Sequence, residues 1–175
     1  MINAIMGNHR WLRREAGSSG VIELGAGDGS LARKLGKVTA LDLAPAPEGL
    51  PASVRWVQGD LFETLPQAEG EVVLACLILH HFEADALAEL GRLIEQSGVR
   101  RVLAAEPYRS RLALAEGYLL FPAVNSVTRH DMMVSIRAGF RRGELAPALG
   151  LDEGGWQVVE SVTPFGALRF SATRR

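Results

Sequence analysis

Glu23-Leu24-Gly25-Ala26-Gly27-Asp28-Gly29-Ser30 is the stretch with the most chemical content in this 175-residue chain. It follows a short apolar run and opens a helical pattern. Glycines let a chain turn sharply and let a ligand approach the backbone, and a helix start offers unpaired N–H groups to an anion. A tight strand-to-helix turn without a ligand has the same composition. Asp42 stands seventeen positions after Gly25, at the end of the next strand. An acid there accepts hydrogen bonds from both hydroxyls of an adenosine ribose, and loop and acid together are hard to obtain by accident. Gln58-Gly59-Asp60-Leu61 ends a third strand. Asp60 suits an adenine amino group and the Leu61 N–H a ring nitrogen. Asp60 equally suits the N-cap of a short turn.

The loop narrows the choice of adenosine ligand. Nicotinamide dinucleotides prefer G-x-G-x-x-G, whereas here Ser30 takes the third glycine's place and Gly29 gives G-x-G-x-G. No Lys-Ser or Lys-Thr closes the loop, which excludes a triphosphate P-loop.

On these residues the chain resembles the class I S-adenosylmethionine-dependent methyltransferases. Glu23 to Gly29 is similar to their first motif, Asp42 to their ribose-binding acid and Gly59-Asp60-Leu61 to their adenine-side motif. Leu77-Ile78-Leu79-His80-His81-Phe82 resembles the stretch after the fourth strand in small-molecule members, and Ala138-Gly139-Phe140 with Glu144-Leu145 the segment before their final hairpin. The likeness runs from about residue 10 to the end. It implies S-adenosylmethionine as cofactor, S-adenosylhomocysteine as its product, and a cofactor site built from Glu23, Gly25, Ala26, Gly27, Asp42, Leu43, Asp60 and Leu61. It also implies a Rossmann-like seven-stranded sheet with the last strand antiparallel. The chain departs from the family between Asp42 and Val54, where a short proline-rich stretch replaces a helix. The N-terminal extension is also short, leaving few residues to cover a substrate.

Methyl transfer from a sulfonium is an in-line displacement, so the enzyme mainly positions the nucleophile and excludes water. A base helps when the nucleophile is a hydroxyl. In open α/β sheets the ligand lies beyond the carboxyl ends of the strands. His80 and His81 follow the fourth strand at that edge and are the candidate catalytic residues, since histidine titrates near neutrality. The bland alternative is a histidine that caps the next helix or packs under the loop. Glu106 and Tyr108 follow the fifth strand at the same edge, where ordinary solvent exposure explains them equally well. Arg129 and His130, in the polar stretch 125–131, suit an anionic or carbonyl-bearing substrate, but read more simply as a surface loop with a helix cap. Asn8, Arg10 and Trp11 precede the first strand and suit a position over the cofactor, with Trp11 more simply in the core. Arg137, Arg141 and Arg142 read as a solvated face. Adjacent histidines without an acid cluster do not make a metal site.

The elements that must position these residues alternate between strand and helix, which gives α/β architecture with a mostly parallel sheet and helices on both faces. Strands are expected at Val21–Leu24, Val38–Leu43, Val54–Val57, Glu71–Leu79 and Val99–Ala105. Helices are expected at about 2–15, at Ser30–Leu35, at Ala84–Gln96 and over 108–124, with a last turn or two at Glu144–Leu149. Three prolines between Ala44 and Pro51 forbid a long helix there. Trp156–Thr163 and Ala167–Thr173, around Pro164-Phe165-Gly166, form an antiparallel hairpin at one edge of the sheet. No linker divides the chain, so 1–175 reads as one domain.

Hydrophobic residues make up 47 % and charged residues 22 %, with a formal net charge of −1. That is an ordinary soluble composition, and nothing in it attracts a polyanion such as nucleic acid. No stretch reads as a signal peptide or a membrane span. The single Cys76 excludes an internal disulfide and suits a reducing cytoplasm. The expected function is methyl transfer from S-adenosylmethionine to a small apolar or aromatic molecule, with no metal, nucleic acid or membrane partner. An NAD-dependent oxidoreductase and a non-catalytic partner subunit of the same fold are the rival readings. The oligomeric state and the acceptor atom are not legible.

Overall fold

The computed structural model describes residues 7–110, 133–151 and 155–175. Helix α1 (Asn8–Ala16) precedes β1 (Val21–Leu24), β2 (Val38–Asp42) and β3 (Val54–Gln58). A short helix α2 (Leu61–Thr64) leads to β4 (Val72–Cys76), helix α3 (Ala84–Gln96) and β5 (Arg101–Pro107). Residues 133–138 are helical, and a last short helix α4 (Leu145–Ala148) precedes the hairpin β6 (Trp156–Val162) and β7 (Ala167–Arg174).

The seven strands pair in the order β3-β2-β1-β4-β5-β7-β6. β1 to β5 run parallel, and β7 lies antiparallel between β5 and β6. The two central apolar strands carry the sheet: β1 and β4 are buried on both faces, as parallel strands covered by helices must be. Ile22, Leu24, Val73, Val102 and Phe170 pack on one face with Leu87, Leu90 and Ile94 of α3 and Leu145 of α4. Val21, Val38, Leu74 and Leu103 pack on the other with Leu12 and Ala16 of α1 and with Leu31 and Leu35. Helices on both faces therefore hold the sheet, as the alternating pattern requires.

The structure adjusts several boundaries. α3 runs over the expected residues, because its spacing of Leu87, Leu90 and Ile94 is unambiguous. Ser30–Leu35 holds only a 3₁₀ turn at Ala32–Lys34. Leu31, Ala32 and Leu35 are buried all the same, so the apolar spacing reports burial there and not a full α-helix. β4 stops at Cys76 instead of Leu79. Leu77 takes a left-handed backbone (φ 57°), and Leu79–His81 forms a 3₁₀ turn. A buried turn is as apolar as the buried strand before it, so hydrophobicity alone cannot mark their boundary. β5 begins at Arg101, not Val99. The first helix begins at Asn8; residues 1–6 of the expected 2–15 lie outside the described residues. Tyr108 is not helical and bridges to Phe140. Arg109 and Ser110 of the expected 108–124 helix are not helical either, the Arg109 N–H donating to the Phe140 carbonyl; residues 111–124, and Arg129 and His130, lie outside the described residues.

Candidate functional site

All ten expected site residues lie at one place, the carboxyl edge of the parallel strands. The glycine loop leaves β1 there. Gly25, Gly27 and Gly29 have φ of 61°, 57° and 69°, a region that side chains with a Cβ avoid. A Cβ on Gly25 would come within 2.7 Å of the Ile78 side chain, so the loop packs directly on the turn that follows β4. The Ala26 N–H donates to the Leu41 carbonyl at 3.1 Å and fixes the loop to β2.

Asp42 closes this loop from the next strand. Its Oδ2 accepts the Gly27 N–H at 2.7 Å and its Oδ1 accepts the Ala44 N–H at 2.8 Å. A carboxylate has about four lone-pair positions, so each oxygen keeps acceptor capacity. Leu43 beside it is 71 % exposed, an apolar surface with nothing packed over it among the described residues. The Gly59 N–H donates to the Asp42 carbonyl at 2.9 Å, which brings the end of β3 alongside. Asp60 is the N-cap of α2, its Oδ1 accepting the Phe62 N–H at 2.8 Å. The capping role is therefore real, and Oδ2 is left for another donor. Leu61 is buried as the first residue of α2.

Glu23 differs from half-buried Asp42 and exposed Asp60. It is 3 % exposed in the middle of an apolar strand, and its Oε2 has no hydrogen-bond partner among the described residues. Burial, with the nearby charges of Asp28 and Asp42, pushes its pKa up to about 8. Asn8, at the start of α1, is 0 % exposed with neither amide atom partnered among the described residues.

The β4–β5 half of the edge is organised by Glu106. Its Oε1 accepts the N–H groups of Ile78 and Leu79, each at 3.0 Å. Its Oε2 accepts the His80 N–H at 3.4 Å and lies 2.7 Å from His80 Nδ1. Glu106 is 0 % exposed, so the solvent-exposed alternative fails for it. Beside a carboxylate Nδ1 donates, and in the neutral ring the lone pair then lies on Nε2. Nε2 is buried without a partner among the described residues. The strained Leu77 backbone is pinned by its N–H to the Ala105 carbonyl at 2.9 Å and by the Glu106 contacts immediately after it. His81 is exposed and lies over His80, with ring centroids 4.1 Å apart. Partial burial, then the neighbouring His80, lowers its pKa. Cys76, at the end of β4, has its thiol pushed far up by burial and by Glu106 and Glu23, so it is no nucleophile. Phe62 and Phe82 meet edge to face at 5.7 Å beside the histidines.

Sequence reasoning found the loop and its acids because strand ends and glycines mark them. It left Glu106 undecided and gave Asn8 no specific role. The donors that Glu106 holds lie 26 to 28 positions away, and no local signal reports them. Among the described residues no group of three or more His, Cys, Asp or Glu is arranged to hold a metal ion. None of their helices is long and apolar enough to cross a membrane.

Comparison with known proteins bears on the same region. Residues 22–102 match the sequence profile of a methyltransferase domain. Uncharacterised methyltransferases of Mycobacterium tuberculosis and Mycobacterium bovis are 34 % identical over 100 residues, 50 % of this chain and 51 % of theirs. The chain thus spans about half the length of these curated relatives. Among solved structures, the pyocyanin biosynthetic protein PhzM superposes with a TM-score of 0.66 at 22 % identity, over 98 % of this chain and 55 % of its own. Human N-acetylserotonin methyltransferase, solved with S-adenosylmethionine, gives 0.68 at 16 % identity over 99 % and 52 %. The plantazolicin methyltransferase BamL, solved with S-adenosylhomocysteine, gives 0.71 at 10 % identity over 99 % and 84 %. At these identities the structural likeness is one of fold.

Proposed function

We propose that this chain is a class I S-adenosylmethionine-dependent methyltransferase, as its methyltransferase-domain profile and relatives support, and that it transfers the cofactor's methyl group to a hydroxyl of a small apolar or aromatic molecule. One observation carries the reading: the left-handed glycine loop and the Asp42 carboxylate are bonded to one another at the carboxyl edge of β1 and β2. That edge is where open α/β sheets hold their ligands.

The residues present fit the cofactor. Asp42 retains acceptor capacity on both oxygens for the two ribose hydroxyls. Leu43 offers an apolar surface and Asp60 Oδ2 an acceptor for the adenine side, with the Leu61 N–H beside it. Gly25, Ala26 and Gly27 let the ligand approach the backbone. Glu23 supplies a buried acceptor for a cationic group. When bound, the cofactor supplies an electrophilic methyl group on a sulfonium.

His80 and Glu106 do the rest. A hydroxyl loses its proton as it is methylated, and His80 Nε2 is the acceptor for that proton. Glu106 holds the ring by Nδ1 and stabilises the imidazolium that forms, as a carboxylate does behind a catalytic histidine. A neutral amine acceptor would need no such pair, so the pair favours a hydroxyl. The half-buried rings of Phe62 and Phe82 and the absence of net positive charge favour a small apolar or aromatic acceptor over a polyanion. A reducing, cytoplasmic setting belongs to the same reading.

Calorimetric titration with S-adenosylhomocysteine and, in parallel, NAD tests the cofactor assignment on the wild type and Asp42→Ala. Binding of S-adenosylhomocysteine that collapses in the variant, with none for NAD, supports the reading. Binding of NAD alone favours an oxidoreductase. Binding of S-adenosylhomocysteine without turnover across a panel of phenols and alcohols favours a non-catalytic partner subunit.

A further inference from the structure

α1 presents one stripe to the sheet: Asn8, Leu12 and Ala16, spaced four residues apart, are its buried residues. Leu12 and Ala16 are ordinary core beside Val21, Leu74 and Leu103. Asn8 continues the stripe but carries an amide, and the way the helix is fixed shows where that amide lies. At the helix end, Arg101 at the start of β5 bonds the Glu15 carbonyl at 2.7 Å and its carboxylate at 2.9 Å. The helix therefore runs antiparallel to β5, with its first residues at the carboxyl edge of the sheet. There the Gly7 carbonyl accepts from Arg169 Nη2 at 3.3 Å, and Arg169 is level with Ala105. On the other flank, His9 Nδ1 lies 3.4 Å from Lys34 Nζ, just past the glycine loop, and its ring feels the charge of Asp28 within the loop. Asn8 sits between these two anchors, on the face of the sheet where α1 packs against β4 and β5. Glu23 is on the same face of β1 as Val21, one residue from the strand's end.

Two buried polar side chains with unpartnered atoms thus share one face and one edge of the sheet. A buried polar group without a partner costs about 1 to 3 kcal/mol, and native folds keep few of them. An amide both donates and accepts. We propose that Asn8 is a cofactor-binding residue whose amide, together with Glu23, engages the zwitterionic amino-acid end of S-adenosylmethionine. This rests on the cofactor reading above. Oδ1 accepts from the ammonium and Nδ2 donates to the carboxylate, while Glu23 Oε2 accepts a second hydrogen bond from the ammonium. The unpaired N–H groups opening α1 favour the carboxylate at the same place.

The test compares two ligands on the wild type and Asn8→Leu: S-adenosylhomocysteine, and 5′-methylthioadenosine, which lacks the amino-acid end. Calorimetry is expected to show S-adenosylhomocysteine binding weakened roughly 10- to 100-fold in the variant, with methylthioadenosine changed by less than about twofold. The ligand-free melting temperature should hold or rise, since an unpaired amide is exchanged for an apolar side chain of similar volume. Asn8→Ala should show the same selective loss if leucine does not fit. Equal weakening of both ligands, or of neither, overturns the proposal, as does a wild type that binds methylthioadenosine as tightly as S-adenosylhomocysteine. A wild type that binds neither ligand overturns the cofactor reading itself, and the proposal with it.

Discussion

Glu23 and Glu106 are both carboxylates buried at the carboxyl edge of the same sheet, and they are used in opposite ways. Glu106, on β5, is surrounded by donors: three consecutive backbone N–H groups and the His80 ring. Glu23, on β1, has an oxygen with no donor among the described residues and a pKa pushed up to about 8. A saturated buried carboxylate fixes architecture, because its bonding is complete within the chain. A buried carboxylate with spare capacity is a place where a ligand completes the bonding. The edge therefore divides into a β4–β5 half whose buried carboxylate is bonded within the chain and a β1–β3 half whose acids keep acceptor capacity; on the proposed function the first holds a base and the second receives a cation and a ribose.

Removing Glu106 should break that division most. Glu106→Ala leaves three N–H groups and the His80 ring without their partner. Losing one member of a buried pair costs about 3 to 5 kcal/mol, or about 10 °C in melting temperature for a chain of this size. Thermal denaturation followed by circular dichroism checks this, and a loss under about 1 kcal/mol would show that the turn is held by other means.

His80→Gln separates chemistry from binding. Methyl transfer should fall roughly 100-fold or more with S-adenosylhomocysteine affinity unchanged. Single-turnover rates with any accepted phenol read the first quantity and calorimetry the second. Equal loss of both would place His80 in the cofactor site.

Glu23→Gln sharpens the other side. The folded protein holds the Glu23 proton up to about pH 8, whereas the unfolded chain releases it near 4.5. The folded state binds more protons in that window, so wild-type stability should fall as pH rises from 4.5 to 8. Glutamine has no charge to bury, so the variant's curve should be flatter and the variant more stable at pH 8, by about 2 kcal/mol. Chemical denaturation at several pH values tests the sign. A variant less stable than wild type at pH 8 would mean that Glu23 has donors within the fold.

The smallest effect concerns Asp60, which combines both uses. Asp60→Ala should cost about 1 kcal/mol through loss of the α2 cap. Asp60→Asn keeps the cap and so should preserve the melting temperature. Any loss of ligand affinity in Asp60→Asn then reports the adenine contact alone.

The same contrast explains what the sequence made legible. The positions of Gly25, Gly27, Asp42 and Asp60 at one edge of the sheet were readable because strand ends are marked by apolar runs and glycines. The mostly parallel sheet and its two covered faces follow from the alternation of such runs with helical stripes such as Leu87, Leu90 and Ile94. The Leu77 turn was not readable, since Leu77 takes a left-handed backbone that nothing in its side chain signals. Its cause lies on another strand, in Ala105 and Glu106. The state of Glu106 was hidden for the same reason. The sequence placed Asn8 with Arg10 and Trp11 over the cofactor but did not separate the three, and only the packing of Leu12 and Ala16 shows that Asn8 is on the buried stripe.

The most direct test of the account is the structure of the complex with S-adenosylhomocysteine. The account predicts the ribose hydroxyls on Asp42, the amino-acid end between Asn8 and Glu23, and an unchanged His80–Glu106 pair beside the sulfur. A ligand seated elsewhere, or a ribose that does not meet Asp42, would contradict it.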